Sequence, residues 1–389
     1  MPVIVLIDMN CFFASCEVKK DPSLKGKKII IGGLSNRSIV SASSYEARVD
    51  GIYTTMPIYL AKEKCPDGVF LPVDHEYYVK VSNQIFSFLK SRYKIVDICS
   101  IDEAFIDMTD VNLTSNPYEY FKNLQKEIYE TLHIPCSIGV SYNRFLAKMA
   151  SDYKKPLGIT IIKRKDVESL IWPLKIEDTY GCGKASSEKL KEIGIKTIGD
   201  FVKSEDYRVR EILGSFYETM LSNCKGEKAE RIVIHNEPPK SIGNSHTLDR
   251  NTDDYQIIKE NLKYLSDEVA GRLKASNMLA YTITLTLKDK NFISKSKSKQ
   301  IIEPTDDNDK IFIEILKLLD KFDNKVIRLV GVSVSNLLYK DQYYKQLSLF
   351  SKEVIARDDT AELIRKLNNL AGKDIFTKAK YAKSSDKGN

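Results

Sequence analysis

The sequence predicts an α+β multidomain protein built around two ferredoxin-like split units. Three observations predict it. A β-branched apolar run ends in an acid close to the N-terminus, strand and helix periodicities follow in the order β, α, β, β, α, β, and that order returns after Pro238-Pro239.

Val3 to Ile7 is continuously apolar, as a buried strand is, and delivers Asp8 at its C-terminal end. Residues 11–73 interrupt the first unit with strand-like runs at Lys28 to Ile31 and Ile39 to Ser43 and a helical stretch at Ile58 to Lys64. This insertion forms a small domain over the edge that carries Asp8. From Tyr78, the residues Val81, Ile85, Phe88 and Leu89 follow helical spacing. Ile95 to Cys99 and Ala104 to Met108 read as strands joined by the turn Ser100 to Glu103. Phe121, Leu124, Ile128 and Leu132 mark a second helix before a strand at Cys136 to Val140. In the split topology the first strand runs antiparallel to the strand after the turn, so Asp8, Asp102 and Glu103 converge at one edge.

Residues 164–231, punctuated by Gly181, Gly183, Gly194 and Gly214, read as a compact helical module. The second unit has strands near 241–246, 279–287, 293–301 and 326–336, with helices between them and no clustered acids at the matching edge. Beyond Leu338 the chain is polar, with a helix-compatible stretch from Lys352 to Leu370 and a final segment whose Lys, Ser and Gly content predicts disorder.

Composition narrows the class. A chain of 389 residues exceeds what one core organises, and 42% hydrophobic residues suffice for several. No apolar run approaches the ~18 residues of a membrane span, and no signal peptide is visible, so a cytoplasmic protein without membrane partners is expected. The seven cysteines are scattered without the short spacings of zinc or redox sites, which predicts reduced core thiols. A formal charge of +7 favours a polyanionic partner but decides little alone.

Three converging carboxylates repel one another unless a cation neutralises them, and hard oxygen donors favour Mg²⁺ or Mn²⁺ over zinc. Two such ions roughly 3.5–4 Å apart suit phosphoryl transfer, and the Met9 carbonyl adds a donor beside Asp8. The plain alternative is that Asp102 and Glu103 are polar turn residues and Asp8 merely ends a strand.

The stretches Asp8-Met9-Asn10-Cys11-Phe12-Phe13-Ala14 and Ser100-Ile101-Asp102-Glu103-Ala104 resemble the Y-family, or translesion, DNA polymerases, bacterial DNA polymerase IV in particular. The likeness continues in collinear order through Tyr45-Glu46-Ala47-Arg48, Asn143-Arg144-Phe145-Leu146-Ala147-Lys148, Lys155-Pro156 and Lys240-Ser241-Ile242-Gly243. It implies a palm (1–10 and 74–163), fingers (11–73), a thumb (164–231), a linker (232–239), a little finger (240–339) and a tail (340–389). It also implies template-directed DNA synthesis on a primer-template with dNTPs, using two Mg²⁺ ions for which Mn²⁺ substitutes. Low fidelity, low processivity, a monomeric core and a link to the response to DNA damage follow from the same resemblance.

The resemblance makes Asp8, Asp102 and Glu103 catalytic metal ligands, together with the Met9 carbonyl. It sets the nucleotide sugar over Phe13 as a steric gate, with Phe12 beside it, and assigns Tyr45, Arg48 and Lys155 to the triphosphate. Taken alone, two adjacent aromatics after a strand read as core. Two positions depart from the family pattern. Ala42 stands where a Thr is common, leaving Ser43 or Ser44 to supply a hydroxyl, and Asn10 replaces an Asp, as in the SOS-mutagenesis polymerase subunit.

Gly181-Cys182-Gly183-Lys184 resembles a helix-hairpin-helix turn, in which backbone N–H groups bind phosphate, so Gly181, Gly183 and Lys184 are candidate DNA contacts. Lys295, Lys297 and Lys299 alternate with serines, so in a strand their ammonium groups share one face about 6.6 Å apart. Such a row can track DNA phosphates; its alternative is a lysine-protected edge strand. Gln346-Leu347-Ser348-Leu349-Phe350 resembles the bacterial sliding-clamp-binding pentapeptide, which implies tethering to a clamp. A nucleotidyl cyclase also uses a split fold with paired acids, but it leaves the glycine turns, the lysine strand and the pentapeptide unexplained. A vestigial DNA- and clamp-binding scaffold predicts loss of a metal ligand, and all three acids are present.

Overall fold

The computed structural model describes residues 1–344 except 34, 36, 114–115, 235–236 and 323–325, together with residues 364 and 368. It divides into two compact units, Met1–Pro238 and one beginning at Pro239.

In the first unit, β1 (Ile4–Met9) leads through α1 (Phe12–Lys20) to β2 (Ile29–Gly32), β3 (Val40–Ser43), α2 (Tyr45–Val49), α3 (Ile58–Lys64) and β4 (Val69–Leu71). Then come α4 (His75–Arg92), β5 (Val96–Ile98), β6 (Glu103–Asp107), α5 (Pro117–Leu132), β7 (Cys136–Ser141), α6 (Arg144–Tyr153) and β8 (Ile159–Ile161). The main sheet has the order β5-β6-β1-β7-β8, and β3-β2-β4 form a small sheet of their own. The sequence reading found β1, β2, β3, β5, β6 and β7. It missed β4 and β8, three-residue strands that complete the two sheets by pairing parallel to β2 and β7.

β1 is central because both its faces are covered: all six of its residues are buried. Successive side chains point to opposite faces. Val5 and Ile7 therefore pack with Val81, Ile85 and Leu89 of α4 and with Phe121, Leu124 and Ile128 of α5. Ile4 and Leu6 pack with Phe105, Ala147 of α6 and Ile232. Each such aliphatic side chain contributes about 1.5–3 kcal/mol by leaving water. Asp8 falls on this second face, two residues beyond Leu6, and is itself buried near the C-terminal end of β1. The Asp74 and Asn143 side chains fix the starts of α4 and α6 by accepting from the Tyr77 and Leu146 N–H groups at 3.1 and 2.8 Å.

Short helices α7 (Val167–Leu170), α8 (Lys184–Glu192), α9 (Ile198–Lys203), α10 (Tyr207–Leu213) and α11 (Tyr217–Lys225) follow. They share a core of Leu190, Ile198, Phe201 and Met220 with Phe145 and Met149 of α6. The expected linker, 232–239, opens with a residue that belongs to the first unit's core: Ile232 is buried among Leu6 and Phe105, and its N–H donates to Asp107 Oδ2 at 3.1 Å.

The second unit runs β9 (Ser241–Thr252), α12 (Tyr255–Ala275), β10 (Met278–Asp289), β11 (Ser294–Thr305), α13 (Asn308–Leu319) and β12 (Ile327–Tyr339). The expected element order is present, but the sheet order, β11-β10-β12-β9, differs from that of the first unit. Hydrophobicity explains the change. β9 exposes nine of its twelve residues and takes an edge, whereas β10 and β12 alternate buried residues along their length and take the centre. The pentapeptide at 346–350 and nearly all of the stretch at 352–370 lie outside the described residues.

Candidate active site

The register of one strand pair builds the site. Ile4 stands opposite Asp107, Leu6 opposite Phe105 and Asp8 opposite Glu103, all on the face that α6 covers. The Met9 N–H donates to the Asp102 carbonyl at 2.9 Å, so the turn closes over the end of β1. Ser100 shapes that turn: its hydroxyl donates to Asp102 Oδ1 at 2.5 Å and accepts from the N–H groups of Asp102 and Glu103.

Two lysines partner Asp8 and Glu103. Lys148, on α6, donates to Asp8 Oδ2 at 3.0 Å and to Glu103 Oε2 at 2.6 Å. Lys155 donates to the same Asp8 oxygen at 2.7 Å and pairs with Asp152 Oδ1 at 2.7 Å. Burial works against ionisation of Asp8, but the charges of Lys148 and Lys155 outweigh it and hold its carboxyl below the usual range. Burial dominates at Glu103 and pushes its carboxyl up. Carboxylate oxygens such as those of Asp8, Asp102 and Glu103 are hard donors of the kind a divalent cation takes, and Asp8 and Glu103 already share one positive partner, Lys148. Among the described residues, only Asp50, Cys65 and Asp67 bring three potential ligand atoms within 4.8 Å of one another. There Lys28 supplies the counter-charge, 2.8 Å from each carboxylate.

Of the residues expected at the nucleotide, Lys155 bonds Asp8 directly and Tyr45 lies within electrostatic reach of it. Phe12 is buried in the core, whereas Phe13 is half-buried and stacks on Tyr78, ring centroids 4.4 Å apart. Tyr78 is fully buried, and its hydroxyl donates to Glu17 Oε1 at 2.7 Å. The Arg48 guanidinium lies 4.8 Å from the centroid of Tyr45. Burial, reinforced by Cys11, pushes the Tyr45 phenol up to about 12, so it remains a hydrogen-bond donor. Both serines near Ala42 are buried. Ser44 Oγ caps α2 and bonds within the backbone around Lys27 and Ile29, while Ser43 is fully buried on β3. The Asn10 side chain is engaged within the fold: its Nδ2 donates to Ser137 Oγ at 2.9 Å, and its Oδ1 accepts from the Leu157 N–H at 2.8 Å.

Residues 7–152 match the impB/mucB/samB family, and residues 239–349 match that family's C-terminal domain. The chain is 36% identical to DNA polymerase IV of Oceanobacillus iheyensis, covering 98% of this chain and 93% of that protein. It is 35% identical to DNA polymerase IV 1 of Bacillus subtilis, covering 99% and 94%. The chain belongs to the Y family of DNA polymerases. Among solved structures it resembles a Y-family chimera of Dbh and Dpo4 (TM-score 0.77, 27% identity, 87% of this chain and 99% of that one). It also resembles DinB from Sulfolobus solfataricus (TM-score 0.59, 26% identity, 87% and 99%). The chain is a DNA-directed DNA polymerase.

In this Y-family polymerase Gly181 to Lys184 lie at the start of α8, and Lys295, Lys297 and Lys299 lie on β11 of the second unit. Gly181 has φ +89°, and a Cβ there would fall 2.8 Å from the Phe216 ring. Gly183 caps α8, and the Lys184 side chain beside it is exposed. Lys295, Lys297 and Lys299 do share one face of β11, but it is the helix-covered face. They stand opposite Leu287, Leu285 and Ile283, all buried. Lys299 donates to Glu314 Oε2 of α13 at 2.5 Å, and Lys297 bonds the Lys321 carbonyl and lies over the Phe322 ring. The opposite face carries hydroxyl pairs, Thr284 with Ser298 and Thr286 with Ser296. The clamp-like residues Gln346 to Phe350 are outside the described residues.

Sequence reading missed Lys148 and Asp152. Their signal was the four-residue spacing on α6, which puts both on one helix face, with Lys155 three residues further on.

Proposed function

We propose that this polymerase adds deoxynucleotides to a primer 3′-end by two-metal-ion nucleotidyl transfer, with Asp8, Asp102, Glu103 and the Met9 carbonyl as the ion-binding set. The observation that carries this reading is the register of Asp8 against Glu103 at the end of β1, with the Met9–Asp102 backbone bond bringing the third acid alongside. Asp8, Asp102, Glu103 and the Met9 carbonyl would hold two divalent ions, Mg²⁺ or in its place Mn²⁺, which would supply activation of the 3′-hydroxyl and charge neutralisation at the triphosphate. Tyr45, Arg48 and Lys155 hold the triphosphate as phenol, guanidinium fork and ammonium. Phe13, supported by its stack on Tyr78, excludes a ribose 2′-hydroxyl.

In this reading residues 1–10 and 74–163 are the palm, 11–73 the fingers, 164–231 the thumb and 240–339 the little finger. The turn at Gly181 to Lys184 contacts DNA phosphates, and residues 346–350 engage a bacterial sliding clamp. Synthesis past damaged template positions, with low fidelity and low processivity, by a monomeric cytoplasmic enzyme active in the SOS response completes the proposal.

Primer extension on damaged and undamaged templates tests it. Asp102→Ala and Glu103→Ala abolish Mg²⁺-dependent extension while duplex binding persists, and full extension by either rejects the site. Deleting residues 346–350 removes stimulation by the clamp and spares basal extension; equal stimulation after deletion moves the clamp contact elsewhere.

A further inference from the structure

We infer that Lys148 and Lys155 are resident counter-cations of the carboxylate edge, which a divalent ion must displace in order to bind. The inference rests on the reading of Asp8, Asp102 and Glu103 as the ion-binding set.

The geometry is that of an exchange site. A single oxygen, Asp8 Oδ2, receives both ammonium groups, at 3.0 and 2.7 Å, and Lys148 spans Asp8 and Glu103 as a bridging cation does. The acids lie at the end of a buried strand pair, where uncompensated carboxylates destabilise the fold. The lysines supply that compensation before any ion arrives. A carboxylate oxygen shared by two ammonium groups is a poor ligand until at least one of them leaves.

Asp152 gives the departing groups a destination. It is about half exposed, already pairs with Lys155 at 2.7 Å and lies 3.7 Å from Lys148 on the next turn of α6. Both lysines can therefore shift onto Asp152 without losing an ionic partner, so displacement costs less than expulsion of an ammonium into an apolar wall. Asp8, Glu103 and Asp152 against Lys148 and Lys155 leave this cluster one negative charge in excess, which favours a further cation. Fixed positive charge beside the ligands lowers their affinity for that cation, so the lysines set how much metal the site requires.

The test titrates Mn²⁺ against the full chain without DNA or nucleotide and reads the free ion by electron paramagnetic resonance. Lys148→Met and Lys155→Met each raise Mn²⁺ affinity about tenfold, Lys155→Arg stays near the parent because the charge remains, and Asp8→Asn loses binding. If both methionine variants bind as the parent does while Asp8→Asn still abolishes binding, the exchange is wrong and the ion-binding reading stands. Binding that survives Asp8→Asn overturns both. If Lys148→Met does not fold, Lys155→Met decides alone, since its side chain is a quarter exposed. Melting curves give an independent readout: added Mn²⁺ raises the melting temperature of Lys155→Met more than that of the parent, and equal shifts overturn the inference.

Discussion

Gly139 and Ala147 meet backbone to backbone: a Cβ on Gly139 would fall 2.1 Å from the Ala147 carbonyl oxygen. Gly139 stands opposite Leu6 on β7, so its missing side chain is what lets α6 close onto the sheet and carry Lys148 to the acids. Gly139→Ala is expected to lower stability by about 3 kcal/mol and to cost extension activity even in the fraction that folds. Denaturant melts with primer extension check this; near-parental values for both would show that α6 can shift without consequence.

Tyr78 has two separable jobs, the ring that backs Phe13 and the hydroxyl that satisfies buried Glu17. Tyr78→Phe keeps the stack and costs about 1–2 kcal/mol of stability, with sugar discrimination unchanged. Phe13→Ala admits ribonucleotides about a hundredfold more readily. Comparing dNTP and rNTP incorporation across the two variants tests the assignment, and discrimination retained by Phe13→Ala counts against the gate.

Asp107 provides a pH signature. Burial alone would raise its pKa, but bonds from Thr109, Arg231 and the Thr109 and Ile232 N–H groups outweigh burial and bring it down from 3.8 to about 2. A lowered carboxylate stabilises the fold at pH values above the unfolded value and loses that contribution as pH falls through the folded one. Asp107→Asn is therefore expected to cost about 2 kcal/mol near neutrality, and the gap from the parent should close between pH 4 and pH 2. A gap independent of pH would assign the loss to shape instead of charge.

The lysine row on β11 should divide. Lys299→Ala removes a partly exposed pair with Glu314 and lowers stability of the second unit by about 0.5–1 kcal/mol, leaving the salt dependence of DNA binding as it was. Lys295→Ala, if that residue meets a phosphate, reduces the slope of log K against log salt by about 1. Fluorescence anisotropy at several salt concentrations separates the two, and equal slope changes would restore the whole row as a DNA track.

Much of this was legible in the sequence because hydrophobic period and turn chemistry are local. The apolar run before Asp8, the helical spacing from Val81 to Leu89 and the acid pair at 102–103 each point to their element, and the split order joins them. What was not legible depends on tertiary choice. Short strands β4 and β8 carry too few residues to show a period. The face that Lys295, Lys297 and Lys299 share could be named from alternation, but only α13 shows that it is the covered one. Ser44 looked like a spare hydroxyl until the Lys27 and Ile29 backbone claimed it. The bonds from Lys148 and Lys155 to Asp8 were hidden because they join positions more than a hundred residues apart in the chain.

The register of β1 against β6 makes the turn between Cys99 and Glu103 a matter of length before composition. Strand alternation is binary, so a single residue gained or lost there, if β6 slides along β1 to absorb it, turns Glu103 away from the face of Asp8 and sends its carboxylate toward the layer of α4 and α5. The length of this turn is therefore as binding a requirement as the identity of Asp102 and Glu103.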